Sequence, residues 1–124
     1  MAHILIVEDD MNLGQVLFQE LKSQNHDLEL AADAEAAVAR INKNIYDLIL
    51  TDINMPVMNG EQFLSRIRGH DPFAHIPVLV VSTDASHQRI RRMLELGASG
   101  YLSKPFFPEA LRSEIERVLE AHDA

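Results

Sequence analysis

The sequence predicts an α/β domain in which helices cover both faces of a five-stranded parallel sheet. Short apolar runs alternate along the chain with segments whose apolar residues recur at helical spacing. Runs such as ILIV at 4–7 and IPVLVV at 76–81 are apolar throughout, which is typical of parallel strands buried on both faces. Five strands alternating with five helices predict right-handed crossovers and one doubly wound domain over residues 1–124.

The first half of the chain supplies three strands and two helices. The strands are predicted at residues 4–7, 28–32 and 47–51, with the second near an edge of the sheet. Asp33 is placed to cap the second helix. Gly14 lies inside the first helix, where glycine costs ~1 kcal/mol relative to alanine, and the sequence offers no reason for it. The predicted inward faces of these helices are Leu13, Val16, Leu17 and Leu21 in the first, and Ala34, Ala37, Val38 and Ile41 in the second.

The second half continues the alternation. A turn at Asn59-Gly60 precedes the third helix, and strands are predicted at 76–81 and 100–103. Gly97 is expected to end the fourth helix, and Pro108 to lie in the first turn of the fifth. The predicted inward faces are Phe63, Leu64 and Ile67 in the third helix and Leu111, Ile115, Val118 and Leu119 in the fifth. The fourth helix is indicated by the spacing of Ile90, Met93 and Leu94.

Composition excludes several classes of function. The net charge of −8 disfavours binding to nucleic acid or to anionic membrane surfaces, and the cluster of Arg89, Arg91 and Arg92 is interpreted as a solvated helix face. The chain has no cysteine, so it has neither disulfides nor thiolate chemistry. No window approaches the ~20 apolar residues of a membrane span, and we expect a cytoplasmic protein.

Polar residues follow four of the predicted strands. Glu8 and Asp9 follow the first strand, Asp52 the third, Ser82 the fourth and Lys104 the fifth. The carboxyl ends of parallel strands share one edge of the sheet, where ligands bind at the reversal of strand order. Three carboxylates brought together there repel each other and need a positive partner. Lys104 supplies one charge, and Mg²⁺, which prefers oxygen ligands, would supply two more.

Taken singly, these residues have plainer interpretations. An acid after a strand is more often a helix cap than a metal ligand, and Asp10 is interpreted in that way. A lone lysine or serine at such a position would be a surface or turn residue. The shared edge and the complementary charges favour a site instead. GxxxxGK[ST], GxGxxG and HExxH patterns are absent, so nucleotide binding and a zinc-protease site lack support.

Four stretches together resemble a known family over essentially the whole chain. They are ILIVEDD at 4–10, LILTDINMPVMNG at 48–60, IPVLVVST at 76–83 and GASGYLSKPF at 97–106. In order and spacing they resemble the receiver domain of two-component response regulators, of the type found in chemotaxis regulators. The resemblance implies a flavodoxin-like strand order, 2-1-3-4-5. It also implies that Asp52 accepts a phosphoryl group from a phosphohistidine on a sensor histidine kinase or a histidine phosphotransfer protein.

The resemblance assigns a Mg²⁺ site to the acidic residues. Asp9, Asp52 and the backbone carbonyl of Asn54 would be the ligands, and Glu8 would act mainly through water. Phosphoryl transfer depends on positioning and charge neutralisation, which this set of groups would supply.

The resemblance also assigns a switch. Ser82 and Lys104 would contact the phosphoryl oxygens, and the bond before Pro105 would be cis. On phosphorylation Ser82 would move, and Tyr101 would fill the vacated space from outside. The surface of the fourth helix, fifth strand and fifth helix would then change, and a downstream protein or an attached output domain would respond to it.

The lifetime of the phosphoryl group is expected to depend on Asn54, Thr83 and Asp84, which should border the path of the attacking water. Asn54 and Asp84 could orient that water, whereas Thr83 should crowd its path, since the family usually has Ala or Gly there. We therefore expect an intermediate lifetime. Ala34 and Ala36 also depart from the family, but lie away from this chemistry.

Two other classes of function stay open at this point. An aspartyl phosphatase of the haloacid dehalogenase type also begins with a strand-end aspartate, but the position of its second acid is occupied here by Asn54. A phosphate-independent adaptor would bind a partner without chemistry at Asp52. The chain fits both a stand-alone regulator and the receiver of a longer protein.

Overall fold

The computed structural model describes residues 2–70 and 73–123. Strands and helices alternate throughout, as predicted. The strands are β1 (His3–Val7), β2 (Asp27–Ala31), β3 (Leu48–Thr51), β4 (Val78–Ser82) and β5 (Gly100–Ser103). The helices are α1 (Met11–Lys22), α2 (Ala34–Ile41), α3 (Gly60–Arg68), α4 (His87–Glu95) and α5 (Pro108–Asp123).

All neighbouring strands pair in parallel, in the order β2-β1-β3-β4-β5. This confirms the doubly wound fold and the flavodoxin-like order. Strand order reverses between β1 and β3, where Val7 pairs with Thr51. The residues that follow these two strands are therefore brought together at the carboxyl edge.

The core has one apolar layer on each face of the sheet. Successive residues of β1 point to opposite layers, with Ile4 in one and Leu5 in the other. One layer packs against α1 and α5, and the other against α2, α3 and α4. Both faces are thus covered, as the continuous apolar runs predicted. Within the described part of the chain, no helix is both long and apolar enough to cross a membrane.

Two apolar residues of the predicted helical stripes are exposed in the structure. Val16 of α1 is 61% exposed and Leu94 of α4 is 47% exposed. Each directly adjoins a buried residue, Leu17 or Met93, and consecutive helical residues are rotated by about 100°. The predicted apolar stripes were therefore too wide, and these two side chains lie outside the contact with the sheet.

Gly14 has a packing role that the sequence did not reveal. A Cβ atom at this position would lie 3.0 Å from Cδ1 of Leu30 in β2. The absence of a side chain therefore lets α1 approach β2 closely. The predicted caps are confirmed: Asp10 accepts a hydrogen bond from the Asn12 amide, at 3.0 Å, and Asp33 accepts one from the Ala36 amide, at 2.7 Å.

Candidate functional site at the carboxyl edge

The three acidic residues predicted to converge do so. One carboxylate oxygen from each of Glu8, Asp9 and Asp52 lies within 4.8 Å of the others. Glu8 is buried, Asp52 is partly buried and Asp9 is exposed, so the group opens to solvent on one side. A cluster of hard oxygen donors that keeps an open side fits Mg²⁺, which usually retains several of its waters.

Lys104 provides the positive charge among these acids. Its Nζ donates to Glu8 Oε1 at 2.9 Å and to Asp52 Oδ2 at 3.0 Å. The Lys104–Pro105 peptide bond is cis. The Lys104 amide donates to the Ser82 carbonyl at 2.8 Å, which fixes the start of this segment beside the end of β4.

Burial and pairing shift the pKa values of Glu8 and Lys104. Burial raises the pKa of the Glu8 carboxyl, an effect that contact with Lys104 opposes and the nearby charge of Asp52 reinforces. Burial would lower the pKa of Lys104, but its hydrogen bonds to Glu8 and Asp52 outweigh that effect and raise it. Lys104 therefore stays protonated beside the acidic residues of the site.

Backbone groups fix the orientation of Asp52 at the end of the buried strand β3. Its Oδ1 accepts from the Ile53 amide at 2.6 Å, and the Asn54 amide lies 3.4 Å away. The Gly60 amide donates to the Ile53 carbonyl at 2.7 Å. A Cβ at Gly60 would lie 2.5 Å from the Asp52 carbonyl oxygen, a distance that no side chain tolerates. The Asn59-Gly60 turn therefore brings α3 directly against the backbone of Asp52.

Ser82 and Tyr101 meet at the loop between β4 and α4. Ser82 is fully buried, and its Oγ accepts from the Asp84 amide at 3.2 Å. The Tyr101 hydroxyl donates to the Asp84 carbonyl oxygen. In this structure Tyr101 is therefore attached to that loop through its hydroxyl.

The comparison with known proteins identifies the family. The response regulator receiver domain family matches residues 4–116. This chain belongs to that family. Chemotaxis protein CheY-3 of Vibrio cholerae is 30% identical over 118 residues, which cover 94% of this chain and 91% of that protein. The solved structure of chemotaxis response regulator CheY4 of Vibrio cholerae has a TM-score of 0.89 at 35% identity, covering 95% of this chain and 98% of that one.

Other relatives are much longer than this receiver domain. Response regulator protein FleR of Pseudomonas aeruginosa is 35% identical over 116 residues, and the match covers 94% of this chain. The chain spans only 24% of the length of that protein.

The three residues expected to border the water path in this receiver domain differ in their surroundings. Asn54 and Thr83 are exposed. Asp84 is half-buried, and both of its carboxylate oxygens are engaged at the start of α4. Its Oδ1 accepts from the Ser86 amide at 3.0 Å, and its Oδ2 lies 3.4 Å from Arg89 Nε.

An ion-pair network between α3 and α4 was missed in the sequence. Arg89 Nη1 donates to Glu61 Oε2, and Arg92 Nε donates to Glu61 Oε1 at 2.9 Å. Arg91 and Arg92 are exposed, as expected for a solvated helix face, but Arg89 and Arg92 also pair with Glu61 across to α3. Glu61 is far from them in sequence, and no local spacing signals a contact between two separate helices.

Proposed function

We propose that Asp52 accepts a phosphoryl group from a phosphohistidine on a sensor histidine kinase or a histidine phosphotransfer protein in a phosphorelay. The observation that carries this proposal is the setting of Asp52. Its carboxylate is held by backbone amides on one oxygen and by Lys104 on the other, beside two further acids. Membership of the receiver family supports the same role. Residues 1–124 would act as one receiver unit.

The transfer is a displacement at phosphorus. A carboxylate oxygen of Asp52 forms the new P–O bond as the P–N bond to the donor imidazole breaks, and the imidazole nitrogen keeps the electron pair. Lys104 and the Ser82 hydroxyl would hydrogen-bond the transferred oxygens. Asp9, Asp52 and the Asn54 carbonyl would hold Mg²⁺, with Glu8 acting through water. When bound, Mg²⁺ would neutralise charge on the phosphoryl group.

The same chain would read out and terminate the signal. The phosphoryl group adds negative charge and acceptor oxygens beside Ser82, whose neighbour Tyr101 lies on β5. The surface formed by α4, β5 and α5 would change, and a downstream protein or an attached output domain would bind it. Water would later hydrolyse the acyl phosphate. The domain would thus catalyse only its own phosphorylation and dephosphorylation.

Acetyl phosphate, a small donor, tests the role of Asp52. Intact-mass measurement after treatment with acetyl phosphate and Mg²⁺ should show one phosphoryl group, and peptide mapping should locate it at Asp52. Asp52→Asn should take up none. Asp10→Asn is the matched control, because Asp10 is a nearby acid that caps α1. Equal labelling of Asp52→Asn would refute the proposal.

The same preparations address the two alternative functions. Turnover of a generic phosphomonoester by the parent protein, lost in Asp52→Asn, would favour the phosphatase of the haloacid dehalogenase type. An unlabelled parent protein that still binds its partner would favour the phosphate-independent adaptor.

A further inference from the structure

We propose that Arg89 is a positioning residue that holds the Asp84 carboxylate against the start of α4 and so prolongs the lifetime of the phosphoryl group on Asp52. The inference rests on the proposed phosphorylation of Asp52. Arg89 lies on α4, seven positions beyond Ser82. The residues proposed to contact the phosphoryl group lie instead at the ends of β4 and β5.

The backbone of Asp84 is fixed at the site on both sides. Its amide donates to Ser82 Oγ, and its carbonyl accepts from the Tyr101 hydroxyl. The side chain is therefore the part of Asp84 that can move without disturbing these contacts. One rotation directs the carboxylate towards α4, as observed, and others direct it away from α4.

The observed orientation of the Asp84 carboxylate depends on two groups at the start of α4. The Ser86 amide holds one oxygen at 3.0 Å, and Arg89 Nε lies 3.4 Å from the other. Arg89 is itself held by Glu61 at the start of α3. The bond to Ser86 and then the contact with Arg89 lower the pKa of the Asp84 carboxyl, so the contact persists as an ion pair. The contact of 3.4 Å with Arg89 is longer than an ordinary hydrogen bond, and it supplements the bond of 3.0 Å from the Ser86 amide.

Release of Asp84 would favour hydrolysis. In that reaction a water oxygen forms a bond to phosphorus, the bond from phosphorus to Asp52 breaks, and the Asp52 carboxylate leaves with the electron pair. The products are inorganic phosphate and free Asp52, and the water proton passes to phosphate or solvent. A free carboxylate near the path would accept a hydrogen bond from that water and orient it. With both oxygens engaged at α4, Asp84 does not do so.

The experiment compares Arg89→Met with Arg92→Met. Both substitutions remove a guanidinium that contacts Glu61, but only the first removes the contact with Asp84. Each protein is labelled with acetyl phosphate and Mg²⁺, freed of donor, and followed by intact mass. Arg89→Met should lose its phosphoryl group roughly threefold faster, as expected for loss of one partly exposed ion pair. Arg92→Met should decay at the parent rate.

A double-mutant cycle separates positioning from a general structural effect. In an Asp84→Ala background, Arg89→Met should produce no further acceleration, because the carboxylate that it releases is absent. Arg89→Lys should restore part of the parent lifetime. Thermal unfolding midpoints identify any variant whose rate reflects instability.

The outcomes distinguish this inference from the proposed function. A labelled parent protein whose decay rate is unchanged by Arg89→Met overturns the role of Arg89 alone. An equal acceleration by Arg89→Met with and without Asp84 also overturns it. Failure to label the parent protein overturns both proposals.

Discussion

At the scale of single residues, Gly60 has the least space for a side chain among the glycines. An alanine Cβ would lie 2.5 Å from the Asp52 carbonyl oxygen and 2.6 Å from the Ile53 Cα. Both are backbone atoms, which cannot rotate away. Gly60→Ala should therefore lower the free energy of unfolding by about 1–3 kcal/mol and slow labelling of Asp52, because α3 must move away from the strand end.

Denaturant unfolding and acetyl phosphate labelling measure these two effects. Gly69→Ala is the matched control, since the Cβ there would meet its nearest atom, the Ser65 carbonyl oxygen, at 3.3 Å. If Gly60→Ala were as stable and as reactive as Gly69→Ala, the close approach at Gly60 would have no importance.

Thr83 provides a second prediction for a single residue. Its exposed side chain directly follows the buried Ser82. We expect Thr83→Ala to shorten the phosphoryl lifetime, because removal of the branch opens the water path. Thr83→Val keeps the branch and should decay like the parent protein. Decay after phosphorylation in one Mg²⁺ buffer measures the effect, and an unchanged or slower rate in Thr83→Ala would show that Thr83 does not gate the water.

The convergence of individual site residues was predictable only where chain order determines it. Glu8, Asp52 and Lys104 directly follow strands and Asp9 comes one residue later, so a parallel sheet brings them to one edge whatever their side-chain conformations. The contact between Arg89 and Glu61 joins the sides of two helices. Such a contact depends on helix rotation and side-chain conformation, which periodicity does not determine.

At the scale of elements, an ion-pair cluster joins β1, β2 and α2 at the sheet edge. Glu29 of β2 accepts hydrogen bonds from His3 Nε2 at 2.7 Å, from Arg40 Nη1 at 2.9 Å and from the Tyr46 hydroxyl at 2.9 Å. Burial would raise the pKa of Glu29, but these hydrogen bonds outweigh it and lower the pKa. Burial and contact with Glu29 raise the pKa of Tyr46 to about 12.

We expect Tyr46→Phe to lower the free energy of unfolding by about 1 kcal/mol at neutral pH, because it removes one hydrogen bond to a charged group that keeps two others. Urea denaturation measures this difference. Tyr101→Phe is a comparison variant with the same change in β5. A Tyr46→Phe protein as stable as the parent would show that the hydroxyl contributes nothing.

The same cluster should make stability depend on pH at both extremes. The lowered pKa of Glu29 stabilises the fold at pH values above the carboxyl's ordinary pKa, and this contribution is lost as pH falls through the lowered value. The raised pKa of Tyr46 acts in the opposite direction. Its contribution is complete below pH 10 and is lost as pH rises towards 12. The loss at high pH should be absent in Tyr46→Phe.

Sequence periodicity predicted the helices better than it predicted their faces. In α1, Leu17 and Leu21 are buried as expected, yet Val16 is exposed, because one narrow stripe contacts the sheet. Gly14 is buried in that stripe although it has no side chain, so a search for apolar residues at helical spacing does not find it. The helix rotation depends on its fit against Leu30 of β2, which only the assembled fold reveals.

For the whole molecule, the alternation of strands and helices was predictable from the chain itself, but the strand order was not. Continuous apolar runs require a sheet covered on both faces, whatever the order of its strands. The order 2-1-3-4-5 followed from the family resemblance. The site depends on that order, because only the adjacency of β1 and β3 brings Asp9 to Asp52.

Phosphorylation should change the molecule as far as β5. Ser82, Asp84 and Tyr101 form one hydrogen-bonded series, so movement of Ser82 towards the phosphoryl group should shift the Asp84 backbone and, through it, the Tyr101 hydroxyl. The population of Tyr101 conformers should then shift. NMR shifts on activation with beryllofluoride and Mg²⁺ should reach Tyr101 and α4, whereas Ser82→Ala should restrict them to the acidic pocket. Shifts confined to the pocket in the parent protein would show that the coupling is absent.

Mg²⁺ should stabilise the whole fold through the acidic site. The three carboxylates carry more negative charge than Lys104 neutralises, so a divalent cation binds the folded state in preference to the unfolded chain. Such binding raises stability by RT ln(1 + [Mg²⁺]/Kd), about 1.4 kcal/mol at ten times the Kd.

The thermal midpoint should therefore rise with Mg²⁺ and return to its starting value in excess EDTA. Asp9→Asn should remove most of the rise, whereas Asp10→Asn, which makes the same charge change at the cap of α1, should retain it. Labelling by acetyl phosphate should follow the same pattern, since a metal that contributes to transfer is lost with its ligand. An equal Mg²⁺ response in the two variants would mean that the cation acts on the acidic surface in general and not through Asp9.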